Sequence, residues 1–297
     1  MVRSDQLPSP GRLEVVATPI GNLGDLSSRA REVLAAADLI AAEDTRRTAQ
    51  LLHAIGVKGQ LISLHDYNEE GRVEPLVQQL KAGKVIALVS DAGTPLLSDP
   101  GFGLVRAAAA AGIEVRAVPG ASAVTAALSI AGLATDRFAF EGFLPARAGE
   151  RRALLARLAA EPRTLVLFEA PHRIAAALAD LASSFGGQRA AVVTRELTKV
   201  HESVYRGTLG ELCALARENA DFARGEITMV IAGAASERAI GGDTELLTRA
   251  LRLLLQELPP ARAAAIAAQL AGARRSDAYE LALRLQRGSP GSDPATD

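Results

Sequence analysis

The sequence predicts an α/β protein with two α/β domains and a small helical C-terminal domain. Three observations support this prediction. Apolar runs typical of strands alternate with helical patterns from residue 13 to residue 233. From residue 244 to residue 286 the pattern is helical throughout. The chain has 297 residues, and 48% of them are hydrophobic, so it is long enough and apolar enough for two cores.

The first domain, residues 12–118, is expected to contain five strands. These are the apolar runs at residues 13–18, 38–43, 60–64, 84–90 and 113–118. Ser27 or Ser28 is expected to cap the first helix. Asp99-Pro100 is expected to begin the helix after the fourth strand, because proline is favoured in the first helical position. Alternating strands and helices predict a parallel sheet with helices on both faces.

The second domain, residues 119–235, continues the alternation with different spacings, and the boundary is placed near the sequence PGAS at 119–122. Its candidate strands are residues 137–143, 164–169, 190–196, 202–207 and 227–233. Helical patterns lie between most of them. The same reasoning as in the first domain therefore predicts a parallel sheet here too.

The C-terminal domain, residues 244–286, is expected to hold two helices, with breaks at residues 258–260 and at Gly272. Residues 235–243 are expected to be a linker. The tails at 1–11 and 288–297 are expected to be flexible, the latter because it is rich in glycine, proline and small polar residues.

Composition narrows the possible functions. Cys213 is the single cysteine, which excludes an intrachain disulfide and fits a reducing cytoplasm. Four histidines without clustered spacing argue against a metal site. No apolar run is long enough to predict a membrane span, and the N-terminus lacks the apolar segment of a secretory signal. The net charge of −1 neither supports nor excludes nucleic acid binding.

Four polar or glycine-rich loops follow expected strand ends, at residues 18–25, 90–101, 118–122 and 169–173. Ligands of open α/β sheets bind at the carboxyl ends of the strands, so we expect these loops to meet around one ligand. Any one of them is equally well explained as a tight turn between a strand and a helix. That explanation is much weaker for all four together.

The loop at residues 90–101, SDAGTPLLSDPG, carries Asp91 and Asp99 but no lysine or arginine. Neither the P-loop pattern nor the glycine fingerprint of dinucleotide-binding folds is present. Aspartates disfavour a polyphosphate and tolerate a cation. A ligand with a sulfonium group, such as S-adenosylmethionine (SAM), is therefore physically compatible with this loop.

Seven motifs occur in an order that resembles the SAM-dependent tetrapyrrole methylase superfamily, and more closely its ribosomal RNA branch. They are VATPIGNLGDLSSRA, AEDTRRT, LVSDAGTPLLSDPG, VPGASA, LFEAPHR, RELTKVHE and RGTL. The resemblance spans about residues 12–286. It implies two α/β domains with SAM in the cleft between them, and a cytoplasmic homodimer. It also implies methyl transfer to the ribose 2′-hydroxyl of a decoding-centre cytidine in 16S rRNA of the small ribosomal subunit.

The resemblance also implies which residues contact the cofactor. These are Pro19, Asp91, Ala92, Gly93, Thr94, Pro95, Leu96, Ser122, Ala123, Phe168, Glu226, Ile227 and Thr228. The tetrapyrrole-modifying relatives carry Gly-Asp-Pro where this chain has Gly-Thr-Pro at 93–95, which favours RNA over a corrin as substrate. The chain departs from the pattern of the RNA branch at Tyr67, in place of histidine, and at Arg224, in place of lysine.

Methyl transfer to a ribose hydroxyl requires alignment of the reacting atoms and removal of a proton. Glu43 and Asp44 are candidate base or positioning carboxylates, and Lys199 is a candidate cation beside the hydroxyl. Arg46 is a further catalytic candidate. The competing interpretation of AEDTRR is an acidic helix start, with Asp44 or Thr45 as the cap. The candidates for substrate binding are Asn68, Arg173 and His201.

RNA binding requires a positively charged region on the protein surface. Residues 137–173 contain seven arginines against four glutamates, and residues 262–287 contain five arginines against two acids. These excesses would suit contacts with phosphates, but solvated helix faces explain them as well. Two other functions stay open at this point. One is a C-methyltransferase of the corrin or sirohaem pathway, and the other is a non-catalytic RNA- or nucleotide-binding module.

Overall fold

The computed structural model describes residues 11–234 and 244–287, which fall into two compact units divided after residue 234. The first unit holds two sheets and the second is helical. The expected linker at 235–243 and the tail at 288–297 lie outside the described residues. Gly11, which the sequence assigns to the flexible tail, is instead buried. A Cβ atom there would overlap the carbonyl oxygen of Leu80.

The first sheet has five parallel strands in the order β3-β2-β4-β1-β5. They are β1 (Arg12–Val16), β2 (Leu39–Ala42), β3 (Leu61–Ser63), β4 (Val85–Val89) and β5 (Glu114–Val118). The helices between them are α1 (Ser28–Ala36), α2 (Thr45–Ala54), α3 (Glu69–Lys81) and α4 (Phe102–Ala110). The predicted parallel sheet is therefore confirmed in this half of the unit.

The interior strand β2 shows how the helices cover both faces of this sheet. Its four residues are all buried, although neighbours along a strand point to opposite faces. Leu39 and Ala41 pack in a cluster with residues of α3 and α4. Ile40 and Ala42 pack in a second cluster with residues of α1 and α2. The sheet is thus buried on both sides, as parallel sheets generally are.

Two helix starts in this half test the predicted caps. Ser27 caps α1, and its side chain accepts a hydrogen bond from the backbone N–H of Ala30 at 3.1 Å. Asp99-Pro100 does not begin α4, which starts at Phe102 after Gly101. Gly101 has a φ of 115°, and a Cβ atom there would lie 2.8 Å from a methyl group of Leu88. The prediction for Asp99 was wrong because the chain makes one more turn, through a glycine, before the helix begins.

The cap of α4 comes from another helix. Oε1 of Glu69, at the start of α3, accepts hydrogen bonds from the N–H groups of Gly103 at 2.6 Å and Leu104 at 3.3 Å. The first N–H groups of a helix have no partner within it and carry partial positive charge, so a carboxylate there is favourable. This contact fixes the start of α4 relative to α3.

The second sheet has the strand order β6-β7-β10-β8-β9. Its strands are β6 (Phe138–Phe143), β7 (Thr164–Glu169), β8 (Ala190–Arg195), β9 (Ser203–Thr208) and β10 (Ile227–Ile231). The helices are α5 (Ala123–Ala131), α6 (Ala148–Leu158), α7 (Ile174–Phe185) and α8 (Leu209–Glu218). Only β6 and β7 pair in parallel; the other three pairings are antiparallel.

The expectation of a parallel sheet was therefore wrong for most of this half. Residues 196–202, which join β8 to β9, contain no helix. A parallel crossover needs about a dozen residues or more, so a connection of this length forces an antiparallel pair. β10 then enters between β7 and β8, antiparallel to both.

One apolar cluster joins the two halves of this unit. Val124, Ala127 and Leu128 of α5 pack with Val166 of β7 and neighbouring strand residues of the second sheet. Residues from the loops of the first half belong to the same cluster; they are Ile20, Ala92 and Ala121. The loops that follow the first sheet's strands are therefore held directly against the second sheet.

Between residues 244 and 287, the described part of the C-terminal unit, there are three helices and not the two that were predicted. They are α9 (Thr244–Leu254), α10 (Pro260–Ala271) and α11 (Arg275–Arg287). Gly272 ends α10 in the left-handed conformation, with a φ of 66°. The ion pair between Arg274 and Asp277, at 3.0 Å, lies at the start of α11. The second break in the pattern therefore separates two full helices. None of the helices described has the length and hydropathy needed to cross a membrane.

We expect Glu69→Ala to lower the free energy of unfolding by about 1–2 kcal/mol, because the N–H groups at the start of α4 lose their acceptor. Urea-induced unfolding measures this change. Glu70→Ala is the matched control, since Glu70 lies in the same first turn of α3 and is exposed. The control substitution should lower the free energy of unfolding by about 0.5 kcal/mol or less. Equal losses in the two variants would contradict the assigned cap.

Candidate functional site

A cavity of about 370 Å³ lies where the loops of the first sheet meet the second sheet. The lining residues are Ile20, Ala92, Gly93, Thr94, Leu97, Ser98, Asp99, Ser122, Ala123, Phe143, Phe168, Glu169, Ala170, Pro171, Gly225, Glu226, Ile227 and Thr228. All four loops that the sequence singled out contribute to this lining. The prediction that they meet around one site is thus confirmed, and the site is at the carboxyl ends of the strands of the first sheet.

Backbone hydrogen bonds hold the first two of these loops together. Thr18 donates its N–H to the carbonyl of Gly93 at 2.8 Å, and Gly93 donates to the carbonyl of Thr18 at 3.0 Å. Gly93 has a φ of 83°, and a Cβ atom there would lie 3.1 Å from Ile20. The hydroxyl of Thr94 donates to the carbonyl of Ala121 at 3.1 Å, which ties in the loop after β5. A glycine at position 93 therefore permits the junction of three loops.

The residues implied as cofactor contacts divide into two sets. Those that line the cavity are Ala92, Gly93, Thr94, Ser122, Ala123, Phe168, Glu226, Ile227 and Thr228. Those that do not line it are Pro19, Asp91, Pro95 and Leu96. Leu96 packs in the core of the first half. Asp91 turns toward α2, where its carboxylate accepts a hydrogen bond from the Asp44 N–H at 3.0 Å and lies 3.4 Å from Arg47.

The sequence did not indicate that Leu97, Ser98, Asp99 and Phe143 would line the cavity. Leu96 and Ser98 adopt left-handed backbone conformations, with φ of 75° and 71°. This conformation costs side-chain-bearing residues roughly 1–2 kcal/mol each, so no residue pattern would have predicted it. The available signal was chemical: Asp99 is a second aspartate in a loop that carries no cation.

Aromatic rings form part of the cavity wall. Phe168 of β7 lies edge-to-face against Phe140 and Phe143 of β6, with ring centroids 4.9 and 5.5 Å apart. Such contacts fix ring orientation and favour burial of the rings together. Phe143 remains partly exposed at the cavity. The wall therefore offers an apolar aromatic surface that suits a purine or a soft cation.

The two adjacent carboxylates Glu43 and Asp44 have different roles in the structure. Asp44 caps α2, accepts a hydrogen bond from the Arg46 N–H, and pairs with the Arg46 guanidinium at 2.7 Å. These contacts with Arg46 hold the pKa of Asp44 far below its usual range. Glu43 accepts a hydrogen bond from the Asp91 N–H at 3.2 Å. Burial raises the pKa of Glu43, and the Asp91 carboxylate adds to the increase. The helix-cap interpretation is confirmed for Asp44.

Lys199 connects the two halves of the first unit. Its Nζ lies 2.9 Å from Glu196 and 3.2 Å from Glu226. Burial acts to lower the pKa of Lys199, but hydrogen bonds and charge from the two glutamates outweigh it, and the net shift is upward. Its aliphatic stem covers Gly21 in the loop after β1, where a Cβ atom would overlap Cγ and lie 2.7 Å from Cε. Lys199 is therefore a fixed cation and not a proton acceptor.

Two of the three candidates for substrate binding make internal contacts. Asn68 accepts a hydrogen bond from the His65 N–H at 2.9 Å and donates one to the Ser63 carbonyl at 3.3 Å. Arg173 pairs with the fully buried side chain of Glu169 at 3.1 Å, and also donates to a backbone carbonyl. His201 is exposed. Of the three, His201 has the side chain that is most available to a ligand.

Not all of the arginines at 137–173 are available at the surface, because some of them form ion pairs within the protein. Arg151 pairs with Asp180 at 2.7 Å, and its side chain is 6% exposed. Arg163 pairs with Glu161 at 2.7 Å. Arg147 and Arg152 keep most of their side-chain surface in solvent. No group of three or more histidine, cysteine, aspartate or glutamate side chains among the described residues is arranged to hold a metal ion.

The fold and the cavity define an α/β methylase, with a ligand site between a parallel sheet and a mixed sheet. The chain belongs to the family described as Tetrapyrrole (Corrin/Porphyrin) Methylases, whose sequence model matches residues 12–213. A second family model, the RsmI C-terminal HTH domain, matches residues 241–286. These matches confirm the resemblance and the fold class predicted from the motifs.

Individual proteins agree with this assignment. Ribosomal RNA small subunit methyltransferase I of Xylella fastidiosa (strain Temecula1) is 51% identical over 92% of this chain and 99% of its own length. The protein of the same name from Escherichia coli O157:H7 is 47% identical over 94% of this chain and 96% of its own length.

Solved structures share the fold at low identity. Uroporphyrin-III-C-methyltransferase of Thermus thermophilus superimposes with a TM-score of 0.53 at 22% identity, covering 77% of this chain and 97% of that one. A structure of uroporphyrin-III C-methyl transferase from Thermus thermophilus complexed with S-adenyl homocysteine superimposes with a TM-score of 0.52 at 20% identity, covering 75% of this chain and 97% of that one.

Membership of this family makes the chain a SAM-dependent methylase, and the cavity fits that cofactor. Its volume lies in the range of small-molecule sites, roughly 300–1,000 Å³. Backbone of the Gly93 loop and the rings of Phe143 and Phe168 supply polar and aromatic surface. The lining includes the acidic residues Asp99, Glu169 and Glu226 and, within the described ranges, no lysine or arginine. Such a wall suits a ligand that carries a sulfonium charge.

We expect Gly21→Ala to lower the free energy of unfolding by about 1–3 kcal/mol, because the new methyl group displaces the Lys199 stem. Urea-induced unfolding measures this. In a Lys199→Ala background the obstructing atoms are absent, so the same change should cost less; what remains is the backbone strain of a side chain at the φ of 159° that Gly21 adopts. Gly71→Ala is the control, since a Cβ atom there meets nothing within 4 Å. Additive effects of the two substitutions would argue against the contact.

Proposed function

We propose that this protein methylates the ribose 2′-hydroxyl of a decoding-centre cytidine in 16S rRNA of the small ribosomal subunit. SAM is the methyl donor, and the protein acts in the cytoplasm as a homodimer. The proposal is carried by sequence identity over nearly the whole chain with proteins named ribosomal RNA small subunit methyltransferase I; one of them is 51% identical over 92% of the chain. Residues 93–95 are Gly-Thr-Pro, whereas the resemblance implies Gly-Asp-Pro in the relatives that modify tetrapyrroles. This difference supports RNA, and not a corrin, as the substrate.

SAM would lie against the cavity wall and supply an electrophilic methyl group. The residues proposed to hold it are those implied by the family that also line the cavity; they are Ala92, Gly93, Thr94, Ser122, Ala123, Phe168, Glu226, Ile227 and Thr228. The interlocked loops fix the position of this wall. Apolar surface around it excludes water, which strengthens the electrostatic interactions inside.

Glu43 is the proposed proton acceptor. A ribose hydroxyl is a very weak acid, and a base works best when its pKa lies near the operating pH. Burial raises the pKa of Glu43, whereas pairing with Arg46 keeps that of Asp44 far too low for this task. Asp44 and Arg46 then serve to fix the start of α2. Glu43 in turn holds the Asp91 N–H at the base of the cofactor loop.

Lys199, Arg46 and His201 are proposed to contact the RNA. The Lys199 ammonium, held by Glu196 and Glu226, places a fixed positive charge at the loop that joins β8 to β9. Arg46 has 87% of its side chain exposed, and His201 is exposed as well. Contacts of these groups with phosphates would orient the substrate without reading its sequence.

The decisive experiment supplies tritiated SAM and small ribosomal subunits from a strain that lacks the gene. Label on the ribose of one cytidine supports the proposal. Label on a base, or transfer only to a tetrapyrrole, would refute it. Tight binding to the subunit without transfer would favour a non-catalytic RNA-binding role.

We expect Glu43→Gln to lower kcat by about 100-fold or more with little change in SAM affinity, since the proton acceptor is lost. Asp44→Asn is the matched control, because asparagine also caps helices well and should reduce kcat far less. Single-turnover methylation and calorimetric SAM titration measure the two quantities. A Glu43→Gln enzyme with wild-type turnover would exclude this role.

Assembled small subunits should be methylated faster than a short cytidine hairpin of the same sequence. The chain has no tryptophan and only 3% aromatic residues, so base stacking has few sites, and shape and phosphate contacts should dominate. Initial rates on the two substrates at equal concentration test this expectation. Equal rates would show that the local sequence alone suffices.

A further inference from the structure

Asp99 lines the cavity, and among the described residues its carboxyl group has no cationic partner. Three acidic residues line the cavity; they are Asp99, Glu169 and Glu226. Glu169 pairs with Arg173 at 3.1 Å, and Glu226 pairs with Lys199 at 3.2 Å. Among the residues that the structure describes, none forms an ion pair with Asp99. One negative charge in the wall is therefore left without compensation.

The loop backbone fixes Asp99 in this place. Ser98, immediately before it, and Leu96 both adopt the left-handed conformation that residues with side chains rarely take. Ser98 also abuts the bulge in β6, since its Oγ lies 2.9 Å from the position of a Cβ atom at Gly142. Pro100 follows and is buried. The position of the carboxyl group thus follows from an unusual local conformation held by the second sheet.

The surroundings of Asp99 disfavour its negative charge. Burial raises the pKa of Asp99 to about 6, against the lowering effect of the Ser90 hydroxyl, and the carboxylates of Glu43, Asp91 and Asp66 raise it further. At neutral pH the group is still mainly ionised. A cation in the cavity would relieve this unfavourable environment, and a neutral ligand would not.

We propose that Asp99 lets the cavity distinguish SAM from its demethylated product, S-adenosylhomocysteine, by net charge. The two molecules share the adenosine, the ammonium and the carboxylate. SAM carries one additional positive charge at its sulfonium, so its net charge is one unit higher. Coulombic attraction to an uncompensated carboxylate favours the molecule with the higher charge wherever its sulfur lies in so small a cavity. Asp99 is thus a specificity residue that retains the donor and releases the product.

This proposal rests on the family's cofactor and not on the RNA substrate. The aromatic wall favours a sulfonium too, through cation–π attraction to Phe143 and Phe168. That contribution does not change with pH. The part due to Asp99 does, because it is present above the pKa of the group and disappears as the pH falls through about 6. The two contributions are therefore separable by titration.

The test is calorimetric titration of the full chain with SAM and, separately, with S-adenosylhomocysteine, from about pH 7.5 to about pH 5. The measured quantity is the ratio of the two affinities, and the same titration of Asp99→Asn accounts for ionisation of the ligands' own groups. At the upper pH, Asp99→Asn should lower this ratio by about tenfold. In the wild type the ratio should fall with pH, and in the variant it should be nearly constant. Neither readout needs RNA or turnover.

Two further variants keep the test specific. Asp99→Glu retains the charge and should retain most of the ratio and its pH dependence. Asp66→Asn removes an exposed carboxylate that does not line the cavity, and should change the ratio by less than about twofold. Urea-induced unfolding of each variant checks that it is folded. If Asp99→Asn leaves the ratio unchanged, for example because it weakens the affinities for both ligands by the same factor, the proposal is overturned.

Discussion

Two backbone hydrogen bonds between Thr18 and Gly93 are the constraint on which the site depends. They join the loop after β1 to the loop after β4, and the left-handed backbone of Gly93 makes this approach possible. The same junction brings Ile20 into the apolar cluster that also contains α5 and the strands of the second sheet. The cavity is therefore shaped by a short backbone pairing outside both sheets, and the side chains around it are positioned as a consequence.

The acidic side chains near the cavity differ in what neutralises them. Glu169 is fully buried beside Arg173, and Asp44 is paired with Arg46 at a helix start; both are occupied in holding the fold. Glu43 and Asp99 have no ion-pair partner in the part of the chain that the structure describes, and burial raises the pKa of each. Sequence position does not separate the paired carboxylates from the unpaired ones, since Glu43 and Asp44 are adjacent. Ion pairing does separate them, and it leaves two carboxyl groups with chemistry available to them.

Much of the architecture followed from the sequence, because strand and helix patterns, glycine stops and the Ser27 cap are local signals. The gathering of four loops followed from the rule that parallel strands present their carboxyl ends at one edge. What failed depends on contacts between distant residues. The cap of α4 comes from Glu69 in another helix, and the mixed second sheet depends on where β10 inserts. The left-handed backbone at Leu96 and Ser98 comes just before Asp99, which lines the cavity, and no local pattern specifies this conformation.

The core of the C-terminal helical unit is made largely of alanine, which has a consequence for its dynamics. The buried apolar residues of its described part are Leu247, Leu251, Ala263, Ala264, Ala267, Ala268, Ala271, Ala278 and Ala282. Each alanine methyl group removes little apolar surface from water, so the hydrophobic free energy gained per residue is small. The first unit buries leucine, valine, isoleucine and phenylalanine instead. Amide hydrogens in the helical unit should therefore exchange with solvent through local opening well before those of the two sheets do.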